Sequence, residues 1–273
     1  MNVTIQALSV LLPSGYLLLA MLYLPAFESS LGAGRTRRFL TLGVLGLHLL
    51  LFGLHWRAIG HFPVIDRWGV LSAEALTLVL LFAWIRWTVH HTGTASIVFA
   101  AAFALQLFAS AFGKLPLAPR VEPAGPLVVV HVGTSLLAGA TLVLSGLHGA
   151  LYLLLFRQMR AKRFGAITRT LPDLALLAKM TRGAALAGFV LLGIGLNAGI
   201  AWAHVSGVEN FSYSDPFVLM MLAIWLHFGL VALSGRIPGL TARRASFAAT
   251  AGFVVLIASA LISVLPELSF HPS

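Results

Sequence analysis

Cysteine is absent from the 273 residues, and charge is scarce, with Asp, Glu, Lys and Arg making up 10% of the chain. The first absence excludes disulfides, iron–sulfur clusters, thiolate nucleophiles and covalent c-type haem attachment, which needs Cys-x-x-Cys-His. The second excludes an ordinary water-soluble globule, in which about a quarter of the residues are charged. Acidic residues are the rarer sign, 8 against 18 basic ones, so the net charge is +10. Disorder is excluded too, because it requires low hydrophobicity and 59% of this chain is apolar. His-Glu-x-x-His, a Gly-rich phosphate loop and a Gly-x-Ser-x-Gly nucleophile elbow are also missing.

What the chain does have is a series of long apolar runs. They fall near residues 5–27, 39–56, 68–87, 94–112, 127–156, 183–203, 217–233 and 245–265. Runs of about 20 such residues can cross a hydrocarbon core about 30 Å thick. The expectation is an all-α, polytopic membrane protein with eight transmembrane helices, forming one transmembrane domain over residues 1–273. Fourteen of the 18 basic residues lie in alternate connections, including Arg35, Arg37, Arg38, Arg86, Arg157, Arg182 and Arg236. The positive-inside rule places those connections inside and both termini outside, in the periplasm of a bacterial inner membrane. Short basic clusters between apolar runs report topology and not a nucleic-acid partner. The N-terminus lacks a basic n-region and a small-residue cleavage site, so it reads as a retained helix. Within residues 157–182, the run Leu171-Pro-Asp-Leu-Ala-Leu-Leu-Ala-Lys reads either as an interfacial amphipathic stretch or as a basic loop that sets orientation.

Without thiolates, ten histidines and six methionines remain as borderline or soft metal ligands. Counting about 1.5 Å per residue puts His48 and His227 near mid-membrane. His131 falls near the outer end of the fifth span, and His148 near the inner end. His271, His55, His61 and His204 lie toward the outer surface, and His90 and His91 in an inner loop. Imidazoles on facing helices at matched depth can hold a b-type haem non-covalently. Arg57, Arg67, Lys114 or Arg120 can pair its propionates. The plainer alternative for each histidine is an interhelical hydrogen bond or a place among the headgroups. Gly195 and Gly199 form a small-xxx-small pair that allows close helix packing or, alternatively, the edge of a cofactor. Glu74 reads as a buried acid or, assisted by Asn197, a proton or cation site. Trp56, Trp68, Trp84, Trp87 and Trp202 read as interfacial anchors.

Several segments resemble one family in their order along the chain. His55-Trp-Arg-Ala-Ile-Gly-His-Phe-Pro-Val-Ile-Asp66 is followed by Gly125-Pro-Leu-Val-Val-Val-His131-Val-Gly-Thr-Ser-Leu, and then by Gly195-Leu-Asn-Ala-Gly-Ile-Ala-Trp202-Ala. Asp215-Pro216 and Ala223-Ile-Trp225-Leu come next. These resemble the integral-membrane cytochrome c assembly proteins of the CcsA, CcmC, HemX and YpjD type, over a core of about residues 48–273. The resemblance implies haem handling, with His131 and His271 as outer iron ligands and His48 as an inner one. Other assembly components or apocytochrome c are the implied partners. The chain departs from the family's tryptophan-rich outer loop, because Ser214 precedes Asp215-Pro216 and Phe211 and Tyr213 are the aromatics there. His227 lies about six residues from the family's late membrane histidine, so its place as a haem ligand rests on depth alone. Two other readings remain: a b-type cytochrome or quinone-reactive electron-transfer subunit, and a cofactor-free scaffold that regulates haem synthesis.

Overall fold

A computed structural model of the chain describes residues 2–24, 34–60, 62–64, 66–89, 93–113, 125–163, 165, 168, 170–206 and 211–264; among these it is helical, without strands. Its long helices are α1 (Asn2–Leu22), α2 (Gly34–Ile59), α3 (Arg67–Val89), α4 (Ala95–Phe112), α5 (Pro126–Arg160), α6 (Leu174–Val205), α7 (Pro216–Leu233) and α8 (Ala242–Val264). Seven of them, α1 to α7, are long and apolar enough to cross a membrane. In hydrocarbon every backbone N–H and C=O must be satisfied within the chain, and a helix does this inside one segment.

The helix ends follow from local chemistry. Asp173 caps α6 by accepting from the Leu176 N–H at 2.7 Å, and Asp215 caps α7 by accepting from the Phe217 N–H at 2.8 Å. Pro126 and Pro216 open α5 and α7, where a proline's missing N–H goes unnoticed. Lys162, in the left-handed region at φ 53°, follows the end of α5. The part of the run Leu171–Lys179 from Leu174 onward is not a loop. It forms the opening turns of the continuous 32-residue helix α6, because the Asp173 cap sets the start ahead of the apolar run.

The chain divides into two compact units, residues 1–122 with 164–172, and residues 123–163 with 173–273. In the first, α4 packs against α1 and α3, and α2 lies on α1. Leu12, Leu19, Leu78, Val79 and Phe99 are fully buried in its core, together with the polar His48 and Gln106. At one end Tyr23 stacks on Phe99, and the guanidinium carbons of Arg37 and Arg86 sit 5.3 and 5.5 Å from the Tyr23 ring centre. Arg86 also donates to the Tyr23 hydroxyl.

In the second unit, α5 runs along α6 and α8, and α7 packs on α6 and α8. Ala138, Leu142, Ala185, Phe228 and Ala249 form its centre. Ser145 donates to the Thr181 carbonyl at 2.9 Å, tying α5 to α6 with a polar contact inside that core.

Candidate functional site

Five of the described histidines, His48, His131, His148, His204 and His227, occupy four distinct environments. In the first unit, His48 is fully buried and both of its nitrogens are engaged. Ser72 donates its hydroxyl to Gln106 Oε1 at 2.8 Å, because an amide oxygen can only accept. His48 Nε2–H therefore donates to Ser72 Oγ at 3.0 Å, and His48 Nδ1 accepts from the Tyr16 hydroxyl at 2.7 Å. Gln106 Nε2 passes the chain on to Ser110 at 3.1 Å. One side chain from each of α1 to α3 and two from α4 thus form a single directed hydrogen-bond series, which fixes the neutral Nε2–H tautomer of His48. As the ring stands, neither nitrogen has a free lone pair directed at anything else.

His131, in the second unit, is held differently. Its Nδ1–H donates to the Gly195 carbonyl at 2.7 Å, which leaves the lone pair on Nε2. The ring lies over Gly199, where a Cβ would come within 2.7 Å of Nδ1 and 2.8 Å of Cε1. In an α-helix the carbonyl of residue i already accepts the N–H of residue i+4, and the i+4 side chain leans back over it. Glycine at i+4 removes that cover, so a ring N–H can reach the carbonyl's second lone pair. The same device recurs twice. His227 Nε2–H donates to the Ala248 carbonyl at 2.8 Å beside Gly252, and the Trp225 indole donates to the Phe189 carbonyl at 2.9 Å beside Gly193. The small residues of α6 thus serve close packing, and Gly199 specifically provides the seat of an imidazole.

His148, on α5, is buried and neither ring nitrogen has a partner. His204, at the end of α6, is exposed; its Nδ1–H donates to the Ile200 carbonyl at 2.8 Å. Phe211 and Tyr213 gather around it, with ring centres 5.4 and 5.9 Å from the imidazole.

The histidines matched by depth, His48 and His227, belong to different units, each with its own hydrogen-bond partners. His271, His61, Lys114 and Arg120 lie outside the described residues. Glu74, in the first unit, has one carboxylate oxygen buried without a partner; Asn197, in the second, donates one N–H to Gly193 of its own helix. Among the described residues, no group of three or more His, Asp or Glu side chains could hold a metal ion. What sequence reasoning missed was the pairing of ring donors with glycine-flanked carbonyls, for which the only signal is a glycine four residues beyond the acceptor.

These features define an all-helical, multi-span membrane protein with imidazoles anchored inside its helix packing. The family model described as "Cytochrome C assembly protein" matches residues 64–269. The chain belongs to that family. It is 27% identical over 230 residues to the cytochrome c biogenesis protein CcsA of Guillardia theta, covering 76% of this chain and 75% of that protein. It is 26% identical over 277 residues to CcsA of Synechococcus sp. (strain CC9311), covering 87% and 88% of the two chains. To CcsA of Chlamydomonas reinhardtii it is 26% identical over 227 residues, 79% of this chain and 62% of that one. The family match begins beyond His48 and takes in His131, Trp202 and Asp215.

Proposed function

We propose that the protein handles haem during cytochrome c assembly, holding it non-covalently as haem b with His131 as an outer iron ligand. The supporting observation is the Nδ1–H bond to Gly195, which turns the lone-pair nitrogen, Nε2, into the one available to a metal. A neutral imidazole oriented by a backbone carbonyl suits haem iron, and Gly199 leaves the ring room to lie between α5 and α6. When bound, haem would supply an iron centre for the outer ligands to hold; everything else falls to the chain. His131 orients, the second unit's apolar helices exclude water, and His271 serves as the second outer ligand.

In this reading all eight helices span a bacterial cytoplasmic membrane, and both termini face outward. Haem arrives at the outer face and leaves to another assembly component or to apocytochrome c. The inner site drawn at His48 fits less well, since iron there would have to displace Tyr16 or Ser72. His227 keeps a lone pair on Nδ1 and is a weaker candidate for a membrane-level ligand.

The test is spectroscopic. Protein purified in mild detergent is loaded with hemin, and oxidised and reduced spectra are recorded for wild type and His131→Ala. A Soret band that is lost or shifted in the variant is expected. No band in the loaded wild type would refute haem handling, whereas an unchanged band in the variant would refute His131 as the ligand.

A further inference from the structure

Along one face of α6, Gly193, Asn197 and Ala201 line a groove of about 600 Å3, with Leu127 of α5 and Trp225 of α7 completing it. All of it lies within the second unit. His204 stands eleven residues beyond Gly193, about three helical turns, and so on the same face as the groove and about 4.5 Å past Ala201. Its side chain bends back toward the groove to reach the Ile200 carbonyl.

The polar groups of this face are few. The Trp225 indole N–H is bonded to the Phe189 carbonyl, and the two rings stack at 4.8 Å and 12°, so that wall offers only an apolar surface. Asn197 uses one amide N–H on Gly193, leaving Oδ1 and its second N–H. His204 uses Nδ1–H on Ile200, leaving Nε2. His204 therefore offers an acceptor, Asn197 an acceptor and a donor, and among the described residues no charged side chain lines the groove. The Tyr213 hydroxyl contacts Nε2 at 3.3 Å, well beyond the usual O–H hydrogen-bond length of about 2.7–2.8 Å, so a better donor can replace it.

A fitting occupant is therefore apolar in body, neutral, and a donor at its head. Carboxylates and phosphates meet an acceptor at His204 Nε2 and no cation among the described lining residues, which disfavours fatty acids, phospholipid headgroups and haem propionates at this position. A flat head suits the aromatic collar of Phe211 and Tyr213 around His204. We propose that this groove binds a prenyl-chain hydroquinone in its reduced form. A ring hydroxyl donates to His204 Nε2 within the collar, and the chain lies along the groove toward Trp225. The oxidised quinone carries only carbonyl acceptors on its ring and is bound more weakly. The site is separate from the His131 seat, because Gly199 lies on a different face of α6, and it stands independently of the haem reading.

The test is equilibrium dialysis of the full-length protein in detergent under anaerobic conditions, with decylubiquinol and decylubiquinone as probes and empty micelles as the blank. Wild type is expected to bind the quinol at least tenfold more tightly than the quinone. His204→Phe keeps the collar but removes the acceptor, and is expected to bring quinol binding down to the level of the quinone. Ala201→Phe fills the groove and is expected to weaken both. Equal affinity for the two forms in wild type would mean mere partition of a chain into an apolar groove and would overturn the proposal. So would undiminished redox preference in a folded His204→Phe, or displacement of the quinol by hemin. His204 is exposed, so its variant keeps the test decisive even if Ala201→Phe does not fold.

Discussion

Replacing Gly199 by alanine adds one methyl group at the seat of His131, and its consequence can be worked out from distances. The new Cβ would stand 2.7 Å from Nδ1 and 2.8 Å from Cε1, whereas ordinary contact begins near 3.4 Å. The ring must therefore retreat by about 0.7 Å, and its 2.7 Å bond to the Gly195 carbonyl stretches past the usual limit of about 3.2 Å. One interhelical hydrogen bond in a membrane protein is worth on average about 0.6 kcal/mol and at most about 1.7. Unfolding stability should thus fall only modestly. Removing the group that orients a metal-ligating histidine typically lowers metal affinity by about 10–100-fold, equivalent to about 1.4–2.7 kcal/mol. The expected signature is hemin affinity reduced at least tenfold in a protein that remains folded, measured by Soret titration beside a thermal melt. Gly133, on α5 two residues from His131, has open space at its Cβ position. Gly133→Ala should leave hemin binding unchanged and gain up to about 1 kcal/mol of stability from helix propensity. The reasoning fails if Gly199→Ala binds hemin within twofold of wild type while His131→Ala does not bind it.

Other perturbations probe the remaining environments. His48→Leu should destabilise the protein by about 2–4 kcal/mol in detergent unfolding, because Tyr16 and Ser72 each lose a buried partner. Combining it with Tyr16→Phe should add less than the sum of the two, and full additivity would show that the two side chains are not coupled. His148→Leu should raise the melting temperature, because it removes two buried, unpartnered ring nitrogens costing about 1–3 kcal/mol each. A lower melting point would reveal a bound partner for that ring. Asp215→Ala should cost about 1 kcal/mol by uncapping α7, read as earlier hydrogen exchange in its first turn.

Much of the helical architecture was legible in the sequence, because long apolar runs admit little else in hydrocarbon. The helix limits were less so. Lys179 and Arg182 interrupt the hydropathy of α6 without interrupting its backbone, so the expected start at residue 183 fell well inside the helix beginning at Leu174. The His131 seat was half visible: the histidine and the Gly195/Gly199 pair stood out, but a backbone carbonyl leaves no mark in a sequence. Depth suggested pairing His48 with His227, and depth says nothing about which unit or which face a side chain belongs to. The partners of His48 come from positions 32 and 24 residues away, beyond any local pattern. The loop before Asp215 looked poor in aromatics when its missing tryptophans were counted. Folding brings Phe211 and Tyr213 onto His204, nine residues back from Tyr213, so the rings gather where a linear count sees only two.

The three ring-to-carbonyl bonds beside glycine also bear on how the second unit keeps its alignment. They join α5 to α6, α7 to α6 and α7 to α8, so neighbouring rods are fastened in succession at fixed heights and angles. Sliding any rod by a single residue would slip a ring off its bare spot and onto a methyl or larger group. Lipid offers little resistance to such sliding, since one greasy surface substitutes for another. Register in this half of the molecule is therefore written in three missing methyl groups, and restoring any one of them should loosen a bolt without dissolving the bundle.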